Sequence, residues 1–491
     1  MVIKNDKEEI QSFLTDASNF KGECDAVYFP ENAEEVKEIL IRTLAENKRV
    51  TVAGNGTGLT GARVPKEGIV ISTEKLNRII EINEKEFYAF VEPGVILSDL
   101  QGRLDELNLF YPPDPTETNC FIGGTVAANA SGAKTFKYGP TRNYIAELEI
   151  ILPDGETLNL KRGFVKADGL KLSLKSESGK EYNLMLPDFK MPDVKNASGF
   201  FIKPDMDAID LFIGSEGSLG VITKIKLKLL AKPGAIISCV VFFEDENRGL
   251  DFIEEGRTVS FKNKNQENKI EARALEYFDD NSLRFLAPDF PNIPEGAKAA
   301  VWFEQEAGEE NEDELLEQWI EIIQKCGGNE ELVWFAVNEK DREDIHKFRH
   351  AISLKVNEYI ARNNYRKLGT DVAVPDDQFR EFFFWCGKTV RDENIDYVAY
   401  GHFGNSHIHL NMLPDSQDKF EKGKYLYKKI CQKAVELKGT ISAEHGVGKI
   451  KADYLIEMYG EEVVRQMGRV KKVFDPQLIL GIGNVVREDL L

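Results

Sequence analysis

The sequence predicts an α+β fold with more than one domain. Three observations carry this reading: strand-like and helix-like patterns alternate through the first third, a Pro233-Gly234 break precedes a fresh apolar run, and 491 residues exceed one core of roughly 150. Apolar residues at 42% and charged residues at 30% are the proportions of a globular chain, so most of it packs rather than remaining disordered.

Ala26-Val27-Tyr28-Phe29 reads as a strand, Pro30-Glu31-Asn32 opens an amphipathic helix over 33–46, and 49–53 reads as a second strand. Strands over 68–72 and 87–91, a helix over 97–107 and a hairpin turning at Asp154-Gly155 follow, the spacing of an α+β nucleotide-binding unit. Residues 161–195 are polar and lysine-rich and read as a surface excursion, after which order returns over 211–230. Past Pro233-Gly234, residues 235–243 restart as a buried strand and 250–257 as a helix, which places a domain boundary there. Ile345, Phe348, Ile352, Val356 and Ile360 form the apolar stripe of a later helix, with Arg349 and Ser353 one turn apart beside it.

A net charge of −20 disfavours nucleic acid and anionic lipid as partners. The same field repels a small anionic substrate, which therefore needs a local cation or metal. The six cysteines include no CxxC pair, which argues against a disulfide framework, a thiolate zinc site and a cysteine-ligated iron–sulfur cluster. MVIKNDKEEIQSFL lacks the apolar centre of a signal peptide, and the longest apolar run, 235–243, is far short of the about 20 residues that span a bilayer. The expected location is cytoplasmic, with no integral membrane segment.

Three segments are rich in glycine and small residues: 53–61, 121–132 and 213–223. The first follows a strand and can present successive backbone N–H groups to a pyrophosphate, although it is neither a P-loop nor a clean GxGxxG. Three such segments together suggest backbone wrapped closely around one large ligand.

Four of the six histidines lie between 402 and 445. His407-Ile408-His409-Leu410-Asn411-Met412 alternates at the strand period, so His407, His409 and Asn411 share a face. A hairpin centred between Asn405 and Ser406 would place His402 opposite His409, with Cβ atoms about 4.5–5.5 Å apart and both rings in reach of one divalent ion; histidines satisfied within a core are the alternative. Glu444 would join them as a His₂Glu set with an open position, which leaves His445 as a base.

These motifs, with Pro113-Asp114-Pro115-Thr116 and Tyr138-Gly139, resemble the FAD-binding oxidases related to vanillyl-alcohol oxidase, in the branch of D-lactate dehydrogenase, the glycolate oxidase flavin subunit and D-2-hydroxyglutarate dehydrogenase. The resemblance spans nearly the whole chain. It implies a two-subdomain FAD-binding domain over 1–233, an α+β substrate or cap domain with an antiparallel sheet over 234–455, and a helical segment over 456–491 returning to the FAD domain. It assigns Gly54, Asn55, Gly56, Thr57, Gly58 and Leu59 to the FAD pyrophosphate, and Pro115, Thr116, Gly123, Gly124, Asn129 and Gly132 to the flavin. Glu216, Gly217, Gly220, Val221 and Ile222 fall on the adenosine side. Thr57 stands where relatives with covalent flavin carry histidine, so the FAD is expected to be non-covalent.

The same resemblance matches His402, His409 and Glu444 to the ligands of a divalent metal, zinc or manganese, and His445 to the base. His407 replaces an asparagine common in relatives and keeps no assigned role, and Asn484 sits in a segment that departs from the family's Asn-Pro-Gly. The expected reaction oxidises a D-2-hydroxy acid, D-lactate favoured over glycolate or D-2-hydroxyglutarate, to the 2-oxo acid. The metal binds the substrate hydroxyl and a carboxylate oxygen, His445 takes the hydroxyl proton, a hydride goes to flavin N5, and Arg349, Asn411 and Lys367 hold the substrate. A separate electron acceptor is needed: a quinone, a cytochrome, an electron-transferring flavoprotein or an iron–sulfur subunit, and attachment to the membrane periphery through such a partner is an option. A homodimer is left open. The competing readings are a metallohydrolase built on the same ligands and a flavin subunit that only transfers electrons. Alkyl-glycerone-phosphate synthase shares the flavin fold, but Glu444-His445 favours the dehydrogenase branch.

Overall fold

The computed structural model describes residues 1–266, 268–308 and 310–491. The chain divides into two compact units, the first made of Met1–Ser131, Pro140–Ala231 and Ile441–Leu491 and the second of Gly132–Gly139 and Lys232–Thr440. These breaks stand against expected ones after residues 233 and 455. Residues 441–451 join the first unit through their backbone: Ser442 N–H donates to Ser198 Oγ at 3.0 Å, and Val447 and Gly448 N–H donate to Glu216 at 2.7 and 2.8 Å.

In the first unit, strands Val2–Lys4, Ala26–Phe29, Ile69–Ser72 and Val50–Ala53 form a sheet in that order, with the last three parallel. Helix Ala33–Ala45 forms because Asn32 caps it, accepting the Glu35 N–H at 3.0 Å, and because Val36, Ile39, Leu40 and Thr43 fall on one buried face. That face packs on Val50, Ile69, Ile71 and Val221, each such apolar side chain contributing about 1.5–3 kcal/mol by burial. An antiparallel five-stranded sheet runs Ile79–Asn83, Tyr88–Val91, Val221–Lys228, Ile145–Ile151, Thr157–Lys161. Gly155, at φ 83°, lies in the turn between the last two sequential strands, where the hairpin was expected.

The lysine-rich stretch is not a plain excursion: Lys171–Lys175 and Glu181–Met185 pair as an antiparallel hairpin. Leu172, Leu174, Tyr182 and Leu184 are buried while Lys171, Ser173, Lys175, Glu181 and Asn183 face water, an alternation that the high charge obscures.

The second unit is built on an eight-stranded sheet whose pairings are antiparallel. Strand Ala235–Phe243 matches its expected span, and helix Glu246–Lys262 is longer than expected because Asp245 caps it, accepting the Asn247 N–H at 2.7 Å. Helix Glu339–Arg362 buries the whole Ile345, Phe348, Ile352, Val356 and Ile360 stripe against Phe242, Phe278 and Trp302.

The histidine hairpin forms in a register that differs from the expected one. Strands Asp396–Gly401 and His407–Leu413 pair with Tyr400, not His402, opposite His409. The cause is the turn: Phe403–Asn405 coil as a short 3-10 helix, Ser406 takes a left-handed φ of 51°, and His407 N–H donates to His402 O at 3.3 Å. His402 thus stands just beyond the strand, paired across the turn with His407.

Candidate functional site

The glycine-rich segments of the first unit enclose a cavity of about 290 Å³. Residues 54–59, Pro115, Thr116, Gly123, Gly124, Glu216, Gly217, Gly220 and Ile222 all line it, as do Glu444 and His445. Three expected cofactor residues do not. Val221 alternates with Ile222 along its strand and is buried in the helix-facing core. Asn129 ends helix Ile122–Ala128 in a left-handed conformation, its Oδ1 accepting the Arg142 N–H at 3.0 Å. Gly132 belongs to the second unit, its N–H donating to Thr135 Oγ1 at 2.9 Å.

This cavity suits an extended dinucleotide. A Cβ added at Gly58 or Gly124 meets no atom within 4 Å, so a side chain there would project into open space. The walls are mainly backbone and small residues, and they include a half-buried cation that sequence reading passed over. Arg63 lies just past the glycine run, donates from Nη1 to Gly54 O at 2.8 Å and packs over Phe13, with its carbon 5.1 Å from the ring centre. Asp16, buried beside it, accepts the Gly61 N–H at 2.8 Å and braces the loop.

The loop carrying Glu444 and His445 is held from several directions. Ser442 Oγ donates to Gly446 O at 2.6 Å and receives a hydrogen bond from Lys451 Nζ at 2.9 Å. Glycine is required at 446 and 448: at φ 79° and 50°, an added Cβ would fall 2.9 Å from Glu216 Oε1 and 2.1 Å from Thr60 O. Glu216 itself adopts φ 53°, a conformation costing about 1–2 kcal/mol that its two charge-assisted hydrogen bonds to the loop offset. Burial pushes its carboxyl up to about 7 against those donors. Glu444 is half-buried, receiving hydrogen bonds from Lys195 Nζ at 2.7 Å and Ser131 Oγ at 3.3 Å, and His445 is partly exposed on the cavity wall.

In the second unit, His402, His407 and His409 each bring one ring nitrogen within 4.8 Å of the others. Each ring is tied from behind. His402 Nδ1 lies 2.6 Å from Glu276 Oε1, His407 Nε2 lies 3.0 Å from Asp371 Oδ1, and His409 Nδ1 lies 3.2 Å from Thr370 O. Carboxylate and carbonyl oxygens accept, so each of these nitrogens carries a ring proton, and in a neutral ring the opposite nitrogen holds the lone pair. This is the outer-shell arrangement that orients imidazole ligands of a divalent metal. His407 is therefore grouped with His402 and His409, although the sequence left it without a role.

The expected substrate residues of this unit adjoin the cluster. Arg349 is 9% exposed, donates from Nη2 to Glu276 Oε2 at 3.1 Å and lies over Trp302, so it is not the solvated helix arginine that local pattern favours. A Cβ on Gly369 would touch both Asn411 Oδ1 at 2.3 Å and Lys367 Cε at 3.3 Å, so these two side chains meet over the same glycine. Asn411 Oδ1 is buried with no hydrogen-bond partner among the described residues. Burial pulls the Lys367 amine down to about 8, with Asn357 Oδ1 accepting from it at 3.1 Å. Ser353, which the sequence set beside Arg349, instead bonds the Tyr400 hydroxyl at 3.1 Å.

Comparison with known proteins agrees with both halves. The model of an FAD binding domain matches residues 24–161, and that of the C-terminal domain of FAD linked oxidases matches residues 257–485. The chain belongs to the FAD-linked oxidases. It is an FAD-dependent oxidoreductase, which sets aside the metallohydrolase reading. It is 29% identical to the glycolate oxidase subunit GlcD of Bacillus subtilis, covering 95% of this chain and 89% of the relative. It is 29% identical to a D-lactate dehydrogenase of Anaerostipes hadrus, over 92% and 88%, and 27% identical to a D-2-hydroxyglutarate dehydrogenase of Stutzerimonas stutzeri, over 98% and 96%. Among solved structures, an alkyldihydroxyacetonephosphate synthase aligns over 98% of this chain and 81% of its own with a TM-score of 0.66 at 14% identity, a likeness of fold. No helix among the described residues is long and apolar enough to cross a membrane, and none of the six cysteines is in a disulfide.

Proposed function

We propose that this FAD-linked oxidase dehydrogenates a D-2-hydroxy acid, with D-lactate as the favoured substrate, to the 2-oxo acid. One observation carries the reading: the cavity suited to FAD has an imidazole, His445, in its wall beside the glycine segments. The substrate class is supported by the named relatives, whose glycolate, D-lactate and D-2-hydroxyglutarate share an α-hydroxy carboxylate.

In this reading His445 takes the hydroxyl proton, work suited to a near-neutral imidazole and contributing about 10²–10⁴ in rate. Arg349 and Lys367 receive the carboxylate, and the Asn411 amide orients it. His402 and His409 hold a divalent ion, zinc or manganese, with Glu444 as the carboxylate ligand and His407 as an additional nitrogen donor. Bound FAD supplies a two-electron acceptor for the α-hydrogen, and the bound ion supplies Lewis acidity at the hydroxyl and the positive charge that a chain of −20 needs beside an anion. The flavin is held without a covalent bond, since Thr57 offers no ring nitrogen to it, and is released when the chain is denatured. Electrons then pass to a separate acceptor.

The test is anaerobic mixing of the flavin-loaded protein with D-lactate, L-lactate, glycolate and D-2-hydroxyglutarate. D-lactate is expected to bleach the flavin absorbance fastest. Faster bleaching by another acid would reassign the substrate, and no bleaching by any of them would favour a subunit that only transfers electrons.

A further inference from the structure

The two histidines outside the cluster, His346 and His350, lie one turn apart on helix Glu339–Arg362. His350 Nε2 is 2.9 Å from His346 Nε2, and His350 Nδ1 is 3.3 Å from Arg349 Nη1. Arg349 Nη2 reaches Glu276 Oε2 at 3.1 Å, and Glu276 Oε1 reaches His402 Nδ1 at 2.6 Å. One line of hydrogen bonds thus runs from the imidazole cluster to the surface of the helix, where His346 is exposed.

The chemistry gives this line a direction. A guanidinium only donates, so His350 Nδ1 is an acceptor. A neutral ring then carries its proton on Nε2 and donates it to His346 Nε2, whose own proton sits on Nδ1. Charging His350 would set an N–H against the Arg349 guanidinium, with His346 and Lys134 adding positive charge nearby. Burial and these cations push its pKa down to about 3, with Glu276 the one opposing charge. The same constraint disfavours a metal ion across the pair, because coordination through His350 Nε2 would move the proton to Nδ1, onto Arg349.

We propose that His350 is a positioning residue for Arg349: with His346 fixing its tautomer, it supplies the acceptor that turns the guanidinium's plane, while Glu276 holds the other edge. Glu276 holds Nη2 and the His350 ring holds Nη1, so the guanidinium plane is fixed at two nitrogens. Arg349 then meets a carboxylate with its plane already set. The kinetic consequence rests on the role proposed above for Arg349, but the tautomer does not.

Two measurements on the full flavin-loaded chain test this. With ¹⁵N-labelled histidine, the His350 signals, identified by their loss in His350→Asn, are expected to show Nε2 protonated and Nδ1 as acceptor; a protonated Nδ1 overturns the proposal. So does a zinc ion that binds the holoenzyme and is lost in His346→Ala. With D-lactate as the probe, His350→Ala is expected to raise KM about ten-fold with kcat changed less than about two-fold. His350→Asn, whose amide oxygen falls near the place of Nδ1, is expected to restore KM. Equal impairment by both variants would mean a merely structural role, and no effect of His350→Ala would mean no role. A wild-type chain that ignores D-lactate would sink the substrate reading, and the tautomer would still decide this one.

Discussion

The two regions that carry the candidate chemistry are built in opposite ways. The cavity of the first unit is walled mostly by backbone: glycines, alanines and residues at positive φ, with Glu216 and Arg63 bracing loops more than presenting charge. The cluster of the second unit is made of side chains on strand His407–Leu413 and at the turn before it, each ring fixed by an acceptor behind it. A backbone-walled site fails when atoms are added, whereas a side-chain site fails when a functional group is removed. Four substitutions probe that difference.

The largest effect is expected where a side chain acts on a backbone-walled cavity. His445→Ala should keep FAD bound while flavin reduction by D-lactate, followed by stopped-flow absorbance, slows by about 10²–10⁴. Unchanged reduction would remove His445 from the mechanism. Next, Glu276→Gln keeps the shape behind His402 but removes the charge shared with Arg349, and should weaken metal binding by about 10–100-fold in a chelator competition. A metal affinity equal to that of the wild type would mean that His402 is not a ligand.

Adding atoms should hurt the first unit alone. Gly124→Leu places a good helix former in helix Ile122–Ala128 and meets no protein atom at Cβ, so the chain should fold. Its side chain fills the cradle, and FAD affinity, read by flavin fluorescence, should fall by about ten-fold or more. Full FAD occupancy with wild-type affinity would place the cofactor elsewhere. The smallest effect is a pH limb. Burial favours the neutral Lys367 amine, so its charge is present below about 8 and lost above it. KM for D-lactate should rise a few-fold from pH 7 to 9, by about the amount one exposed-side charge contact is worth, and Lys367→Arg should flatten that rise. A limb that persists in the arginine variant belongs to another group.

The features legible in the sequence were those with a local cause. The alternation His407-Ile408-His409-Leu410-Asn411 placed three polar side chains on one face because a strand's period is set by its own backbone. The helix over 33–45 was readable from its Asn32 cap and apolar spacing, and the glycine segments from composition alone. The hairpin register was not, because a single left-handed residue, Ser406, shifts the pairing by altering the turn. The Lys171–Met185 hairpin escaped because its buried leucines alternate with lysines that dominate the composition.

What the sequence determined by itself was an α+β chain with backbone-walled binding segments and a histidine-bearing strand, since each follows from the spacing of neighbouring residues. The tertiary structure alone decided which partners stand behind those residues. Glu276 is 126 residues from His402 and 73 from Arg349, and Asp371 is 36 from His407. Their pairing depends on which strands and helices lie side by side, and no local pattern encodes that. The same holds for Arg349, which its helix position alone would leave to solvent and which the sheet, through Glu276 and Trp302, draws into the interior.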